Sequence, residues 1–228
     1  MIKALSLDLD DTLWPIDPCI VRAEAALDEW LRENCPAIAD RFPPAAMRAE
    51  RDRVWEANPH LTHDLSALRR MSLRDVFGRF GFGEDSVDRA MTAFSAARNR
   101  VDFYPETLWV LAQLAERYPL ASLTNGNADL DVIGIGQYFQ VRMYSRDAGC
   151  AKPDRRIFQG TAAALGVAPA EMLHVGDDPL MDVEGARAAG CPVVWIDRGV
   201  LAWPDDLVVP DLRIESLDAL PALLADWR

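Results

Sequence analysis

The chain has 228 residues, half of them hydrophobic, enough to bury one sizeable core and a smaller second one. Its formal net charge of −12 argues against a nucleic-acid partner, because phosphate backbones are held mainly by Lys and Arg. No apolar run reaches the roughly 20 residues that span a bilayer, and carboxylates follow the N-terminus too closely for a signal peptide, so a cytoplasmic protein with no membrane partner is expected.

The first element is a strand over 2–9, where Ile2, Leu5, Leu7 and Leu9 mark the apolar positions and Asp8 falls at the C-terminal end. From about residue 15 to 100 the pattern turns helical, in the runs "RAEAALDEWLRE", "AAMRAERDRVWEA", "SLRDVFGRFG" and "SVDRAMTAFSAARNR", with Pro, Gly and Asn between them. Beyond "DFYPE" the chain alternates: helix "TLWVLAQLAERY", strands "PLASLTN" and "FQVRMYS", helix "DRRIFQGTAAALG", strand "EMLHVGD", helix "VEGARAAG" and strand "CPVVWID". Strands alternating with helices imply a parallel sheet covered on both faces. An α/β domain of residues 1–14 and 101–228 is therefore expected, interrupted by a helical subdomain of residues 15–100 that is too long for a loop. The cysteines Cys19, Cys35, Cys150 and Cys191 are widely separated and form no Cys-x-x-Cys pair, so they read as reduced, structural thiols.

Ligands of open parallel sheets bind beyond the carboxyl ends of the strands. Those ends deliver Asp8 and Asp10, then Thr124 and Asn125, then Asp177 and Asp178, with Lys152 in the loop "GCAKPD" and Asp182 five residues after Asp177. Each alone has a plain reading as a turn former or helix cap. Together they have the parts of a magnesium-assisted phosphoryl-transfer site. Clustered carboxylates stay ionised at neutral pH when a cation sits among them, and oxygen-only ligands suit Mg²⁺. Asp8 and Asp10 are two apart, which puts both on one face of a strand, so one can attack phosphorus while the other handles protons. Lys152 would neutralise the phosphoryl oxygens, Thr124 would donate a hydroxyl to one of them, and Asn125 would orient the loop or the nucleophile.

In order and spacing, "DLDDTL", "SLTNG", "AKPD" and "HVGDDPLMD" resemble the four motifs of the haloacid-dehalogenase-like hydrolase superfamily, with the helical insertion where that family carries its type-one cap. The resemblance implies a Rossmann-like core, with Asp8 as nucleophile, Asp10 as general acid/base, Thr124 as the phosphate-binding hydroxyl and Lys152 as the neutralising lysine. The family's metal position maps onto Asp8, the backbone carbonyl of Asp10 and Asp177. Asp182 corresponds to a supporting acid, while Thr12 completes the Asp-x-Asp-x-Thr spacing and Asp178 stands beside the matching position with its role open. "TNGNADLDVIGIGQYF", "KPDRRIF" and the cap stretch "THDLSALRR" are similar to a narrower bacterial branch that dephosphorylates FMN and the phosphorylated ribitylaminouracil precursor of riboflavin. From that branch only His63, Asp64 and Arg69 are carried over.

A cap would exclude water and choose the leaving group. Arg69 or Arg70 would meet a polar part of the substrate, and Trp14, Trp55 or His63 would stack on a flat ring. Trp55 also fits a cap-core stripe, and His174, inside a strand, reads as a satisfied core histidine. The expectation is thus a Mg²⁺-dependent phosphatase acting on a small phosphorylated metabolite through an aspartyl-phosphate, as monomer or dimer. A phosphomutase or haloacid dehalogenase on the same core, or a receiver-like phosphoacceptor module, stands as the alternative.

Overall fold

The computed structural model describes residues 1–208, 210, 212–225 and 227. The chain divides into two compact units: Met1–Pro15, Asp102–Gly126 and Leu130–Arg228 form one, and Ile16–Val101 with Asn127–Asp129 form the other.

The first unit is built on a parallel sheet of six strands: β1 (Ala4–Leu7), β2 (Leu120–Thr124), β3 (Val141–Tyr144), β4 (Met172–Gly176), β5 (Val193–Ile196) and β6 (Arg213–Ile214). The spatial order is β3-β2-β1-β4-β5-β6. Every residue of β1, β2 and β4 is buried. Since successive side chains of a strand point to opposite faces, both faces of the central sheet are covered, as expected for an α/β fold. Register places Ser6 opposite Ala121 on one side and opposite His174 on the other. From β1 the chain order runs outward to β2 and β3 on one flank and to β4, β5 and β6 on the other, so the gap beyond the C-terminal ends of β1 and β4 is the topological switch point where such sheets bind ligands. β1 is shorter than the run 2–9, but Asp8 N still donates to Val175 O at 2.9 Å, which holds the Asp8 backbone against β4 beyond the strand's last residue. One side of the sheet packs Ala4, Leu123 and Met172 against Ile157, Phe158 and Ala186.

The second unit is helical: α1 (Ile16–Asn34), α2 (Pro36–Arg41), α3 (Pro44–Ala57), α4 (Leu65–Gly78) and α5 (Glu84–Arg98). α1 buries Cys19, Ala23, Leu27 and Leu31, a four-residue spacing that forms one apolar stripe, with Asp17 and Arg32 at the ends favoured by the helix dipole. Ala23, Leu27 and Leu31 of that stripe join Leu73, Phe77, Val87 and Phe94 in the unit's own core. Asp64 caps α4 by accepting from Ala67 N at 2.9 Å. Asn127 and Asp129 attach to this unit through Asn127 Nδ2 donating to Ser66 Oγ and Asp129 N donating to Asn99 Oδ1, each at 3.0 Å. α2 escapes sequence patterning because its six residues are too few for a helical period to show.

The remaining helices, α6 (Thr107–Ala115), α7 (Leu130–Ile133), α8 (Ser145–Ala148), α9 (Arg155–Ala164), α10 (Gly185–Ala189) and α11 (Leu220–Ala225), belong to the first unit. All four cysteines are buried and none is in a disulfide. Among the described residues no helix is long and apolar enough to cross a membrane.

Candidate active site

After β1 the chain makes a tight turn. Leu13 N donates to Leu9 O at 2.8 Å, and Asp11 adopts φ +57, a left-handed conformation that aspartate tolerates better than bulkier residues. Asp11 N donates to Trp14 O at 2.7 Å, so Asp11 serves the turn through its backbone. Asp10 pairs with Trp14 in an isolated bridge, and Trp14 Nε1 donates to Asp10 Oδ1 at 2.8 Å. The Trp14 ring is 0% exposed and meets Phe103 edge-on, so in this structure it steadies Asp10 rather than presenting a face to a ligand.

Asp8, Lys152, Asp177 and Asp182 are all buried. Lys152 Nζ donates to Asp8 Oδ1 and to Asp182 Oδ1, 2.6 Å to each. Asp178 N donates to Asp182 Oδ2 at 3.0 Å, and His174 Nε2 lies 3.0 Å from Asp182 Oδ1. Asp177 Oδ1 accepts from Thr12 Oγ1 at 3.1 Å. One carboxylate oxygen from each of Asp8, Asp177 and Asp182 lies within 4.8 Å of the others.

Three carboxylates thus share one ammonium, and the excess negative charge shows in their proton affinities. Burial pushes the Asp8 carboxyl well above its ordinary value; Lys152 pulls against this, while Asp182 and Asp177 add to it. Burial and the charge of Asp182 push Asp177 up to about 7. Asp182 goes the other way: burial disfavours its charge, but Lys152 and His174 outweigh that and hold it far below the usual carboxylate range. For Lys152, burial opposes the charge and the carboxylates of Asp182 and Asp8 overcome it, so it stays protonated. The donor set fits a divalent cation, since an added positive charge would let Asp8 and Asp177 both ionise. Both oxygens of Asp182 already have hydrogen-bond partners, so Asp8 and Asp177 are the better oxygen ligands of the three.

The other strand ends contribute positioning. Thr124 Oγ1 accepts from Gly126 N at 2.8 Å, an arrangement that leaves the hydroxyl hydrogen available for another acceptor. Asn125 clamps the lysine loop from both sides of its amide: Nδ2 donates to Lys152 O at 3.0 Å and Oδ1 accepts from Lys152 N at 2.8 Å. Asp178 caps the π-helical turn Pro179–Glu184, taking Leu180 N and Met181 N at 2.8 Å each, so its side chain is occupied in shaping the segment that carries Asp182.

Several supports had no sequence signal. Trp195 Nε1 donates to Asp177 O at 2.8 Å. Arg198 donates to Thr12 O at 2.8 Å, pairs with Glu106 at 2.7 Å and stacks on Tyr104 with its guanidinium 3.8 Å from the ring centre. Gly176 leaves room for Asp182: a Cβ there would come within 2.2 Å of Asp182 Cγ.

In the helical unit, Arg69 lies over Phe94, 3.7 Å from its ring centre, and both line a cavity of about 210 Å³ together with Trp55, Leu65 and Asn127. Burial, with Arg51 nearby, brings Arg69 down to about 10. His63 stands in the same unit, partly buried, one residue before the Asp64 cap.

The haloacid dehalogenase-like hydrolase model matches residues 2–190. The chain belongs to this family. It is 34% identical to the 5-amino-6-(5-phospho-D-ribitylamino)uracil phosphatase YigB of Escherichia coli (strain K12), over 98% of this chain and 96% of that one. It is 33% identical to a phosphoserine phosphatase of Thermus thermophilus, over 95% and 96% of the two chains. Among solved structures, a 2-haloacid dehalogenase from Pseudomonas syringae pv. Tomato DC3000 superposes with a TM-score of 0.92 at 36% identity, covering 100% of both chains. The protein is therefore an enzyme of the haloacid dehalogenase-like family with phosphoric monoester hydrolases among its relatives.

Proposed function

We propose that this protein is a Mg²⁺-dependent phosphatase that hydrolyses a small phosphorylated metabolite through an aspartyl-phosphate on Asp8. The observation that carries the reading is the buried Lys152 ammonium, 2.6 Å from both Asp8 and Asp182, at the switch point of the sheet.

Asp8 Oδ1 is engaged by Lys152, so the other carboxylate oxygen is the one that attacks phosphorus. As the Asp8 oxygen–phosphorus bond forms, the ester phosphorus–oxygen bond breaks, and Asp10 gives its proton to the departing oxygen. Asp10 then takes a proton from the water that attacks the same phosphorus. Cleavage of the acyl-phosphate linkage restores the Asp8 carboxylate and releases inorganic phosphate. Trp14 holds Asp10 through its indole N–H, and Thr124 donates its hydroxyl hydrogen to a phosphoryl oxygen. Lys152 faces the same negative charge, kept protonated by Asp182 and located by Asn125. A Mg²⁺ ion held by Asp8, Asp177 and the backbone carbonyl of Asp10 would neutralise the phosphoryl oxygens and let the carboxylate approach.

The dehalogenase reading draws on the solved relative named above. Halide leaves as a stable anion and needs no proton, whereas the alkoxide of a phosphate ester does. A second carboxylate two residues from the nucleophile, oriented by an indole, therefore favours the ester.

Selection among esters is assigned to the helical unit, as a cap, and to Arg69 and the surrounding cavity in particular. Similarity to YigB makes 5-amino-6-(5-phospho-D-ribitylamino)uracil the first substrate to test, and the resemblance of "THDLSALRR" to the bacterial branch adds FMN. A phosphate-release screen over sugar phosphates, nucleotides, phosphoserine and these compounds, with and without Mg²⁺, tests the proposal. Mg²⁺-dependent multiple turnover on one class supports it. Stoichiometric phosphorylation without turnover favours a phosphoacceptor, isomerised sugar phosphate a mutase, and halide release from 2-haloacids a dehalogenase.

A further inference from the structure

His174 lies in the middle of β4 at 0% exposure, with Phe158 edge-on to its ring at 5.1 Å between centroids. A histidine in such a place needs a partner for each ring nitrogen. Nδ1 is 2.9 Å from Ser6 Oγ, and Nε2 is 3.0 Å from Asp182 Oδ1. Ser6 is its cross-strand neighbour on β1, two residues before Asp8. The usual fate of a core histidine is a backbone carbonyl or water. This one ends on the carboxylate that shares Lys152 with Asp8, on the very oxygen that accepts Lys152 Nζ.

The partners determine the tautomer. Asp182 accepts from the Lys152 ammonium on Oδ1 and from the Asp178 amide on Oδ2, so it is a carboxylate and cannot donate. Burial disfavours a charged ring at this position, so Nε2 carries the single hydrogen, Nδ1 accepts, and the Ser6 hydroxyl donates to it. We propose that His174 is a positioning residue of the active site: locked by Ser6 as the neutral Nε2–H imidazole, it fixes Asp182 and divides the hold of Lys152 evenly between Asp182 and Asp8. The inference rests on Asp8 and Lys152 being the reacting pair.

The consequence has a direction. Without the Nε2–H donor, Asp182 Oδ1 has Lys152 as its only side-chain partner, the ammonium is drawn toward Asp182, and Asp8 loses its cation. The neutral ring achieves this without adding charge to a cluster that already carries three carboxylates and one ammonium. An apolar residue at 174 would satisfy the core equally well but would leave both Ser6 and Asp182 a partner short.

Two readouts test this. The chain has only three histidines, His60, His63 and His174, so ¹⁵N spectra of the imidazoles are sparse, and the His174 signals are identified by their loss in His174→Gln. In the resting wild-type protein, without substrate, they should show the Nε2–H tautomer; an Nδ1–H tautomer would overturn the proposal whether or not the enzyme proves to be a phosphatase. The second readout is kinetic, with p-nitrophenyl phosphate and saturating Mg²⁺. His174→Leu should lower kcat by about 10-fold or more with KM changed less than about twofold, and His174→Gln, whose amide still reaches Asp182, should recover most of that loss. Wild-type kcat in the Leu variant, or a Gln variant no better than Leu, contradicts positioning. If the Leu variant fails to fold, the wild-type tautomer and the Gln variant still decide.

Discussion

The two units handle charge in opposite ways. In the α/β unit Asp8, Lys152, Asp177 and Asp182 are buried together beyond the C-terminal edge of the sheet, with His174 buried beneath them in β4. In the helical unit the charges lie mostly on the surface: Glu50 accepts from Arg79 and Arg53 and is held at about 2 by those contacts, and Arg74 pairs with Glu84. Burying like charges costs stability, and a fold that were only a scaffold would have no reason to keep three carboxylates around one ammonium. Surface pairs of the second kind contribute little each and are exchangeable. The α/β unit should therefore lose chemistry before it loses stability, and the helical unit should tolerate surface changes while its cavity governs selectivity.

The sharpest way to break that contrast is Asp8→Asn. Mg²⁺-dependent phosphate release should fall by at least about 10³-fold while circular dichroism and melting stay native-like, because the amide removes the nucleophile and one of the crowded charges. Next comes Gly176→Ala. Its Cβ has no room beside Asp182, so kcat should drop by about 10²-fold; wild-type turnover would show that the carboxylate can move without consequence.

Asp177 sets a pH prediction. Its folded value of about 7 lies above the ordinary 3.8, so the unfolded chain releases this proton first as pH rises. The contribution is fully present below about pH 4 and is lost through about pH 7, an upper bound of about 4 kcal/mol. Melting of the metal-free protein should thus fall across that window, and Asp177→Asn should flatten the decline while abolishing metal-dependent activity. A metal-free melting curve that rises between pH 4 and 7 in the wild type alone would contradict the crowding of these carboxylates. Adding Mg²⁺ at pH 8 should restore the wild type and not the variant.

In the helical unit, Arg69→Gln should raise KM for the preferred ester about 10-fold while leaving p-nitrophenyl phosphate turnover within about threefold, since a small aryl ester has little for the cavity to recognise. Smallest of all, Glu50→Gln should change stability by about 1 kcal/mol or less, since the arginines that hold this half-buried carboxylate are themselves exposed.

How much of this was legible in the sequence follows from the kind of signal each feature leaves. Parallel strands that lead into Asp8, Thr124 and Asp177 announce themselves through apolar runs that stop at polar residues, and chain order then brings those ends to one edge. The two-residue strand β6 and the six-residue helix α2 are below the length at which periodicity can be read. Tertiary hydrogen bonds leave no local trace at all. Arg198 reaches Thr12 across 186 residues and Ser6 reaches His174 across 168, so neither partner predicts the other. Trp14 illustrates the same gap within a single turn: the sequence places an aromatic ring beside the loop of Asp8 and Asp10, but only the fold shows that the ring is enclosed and its N–H points at Asp10. Asp178 resolves in the same way, because its capping of the π-helical turn depends on a backbone conformation that spacing alone does not specify.

The central claim is that the buried carboxylate of Asp8 carries the phosphoryl group. The direct test is to quench the Asp10→Asn variant during turnover of a phosphate ester with Mg²⁺, reduce the product with borohydride, and sequence the peptides by mass spectrometry. Asp8 converted to homoserine, dependent on substrate, is the predicted result; phosphate release with position 8 unmodified, or label on a different side chain, would contradict it.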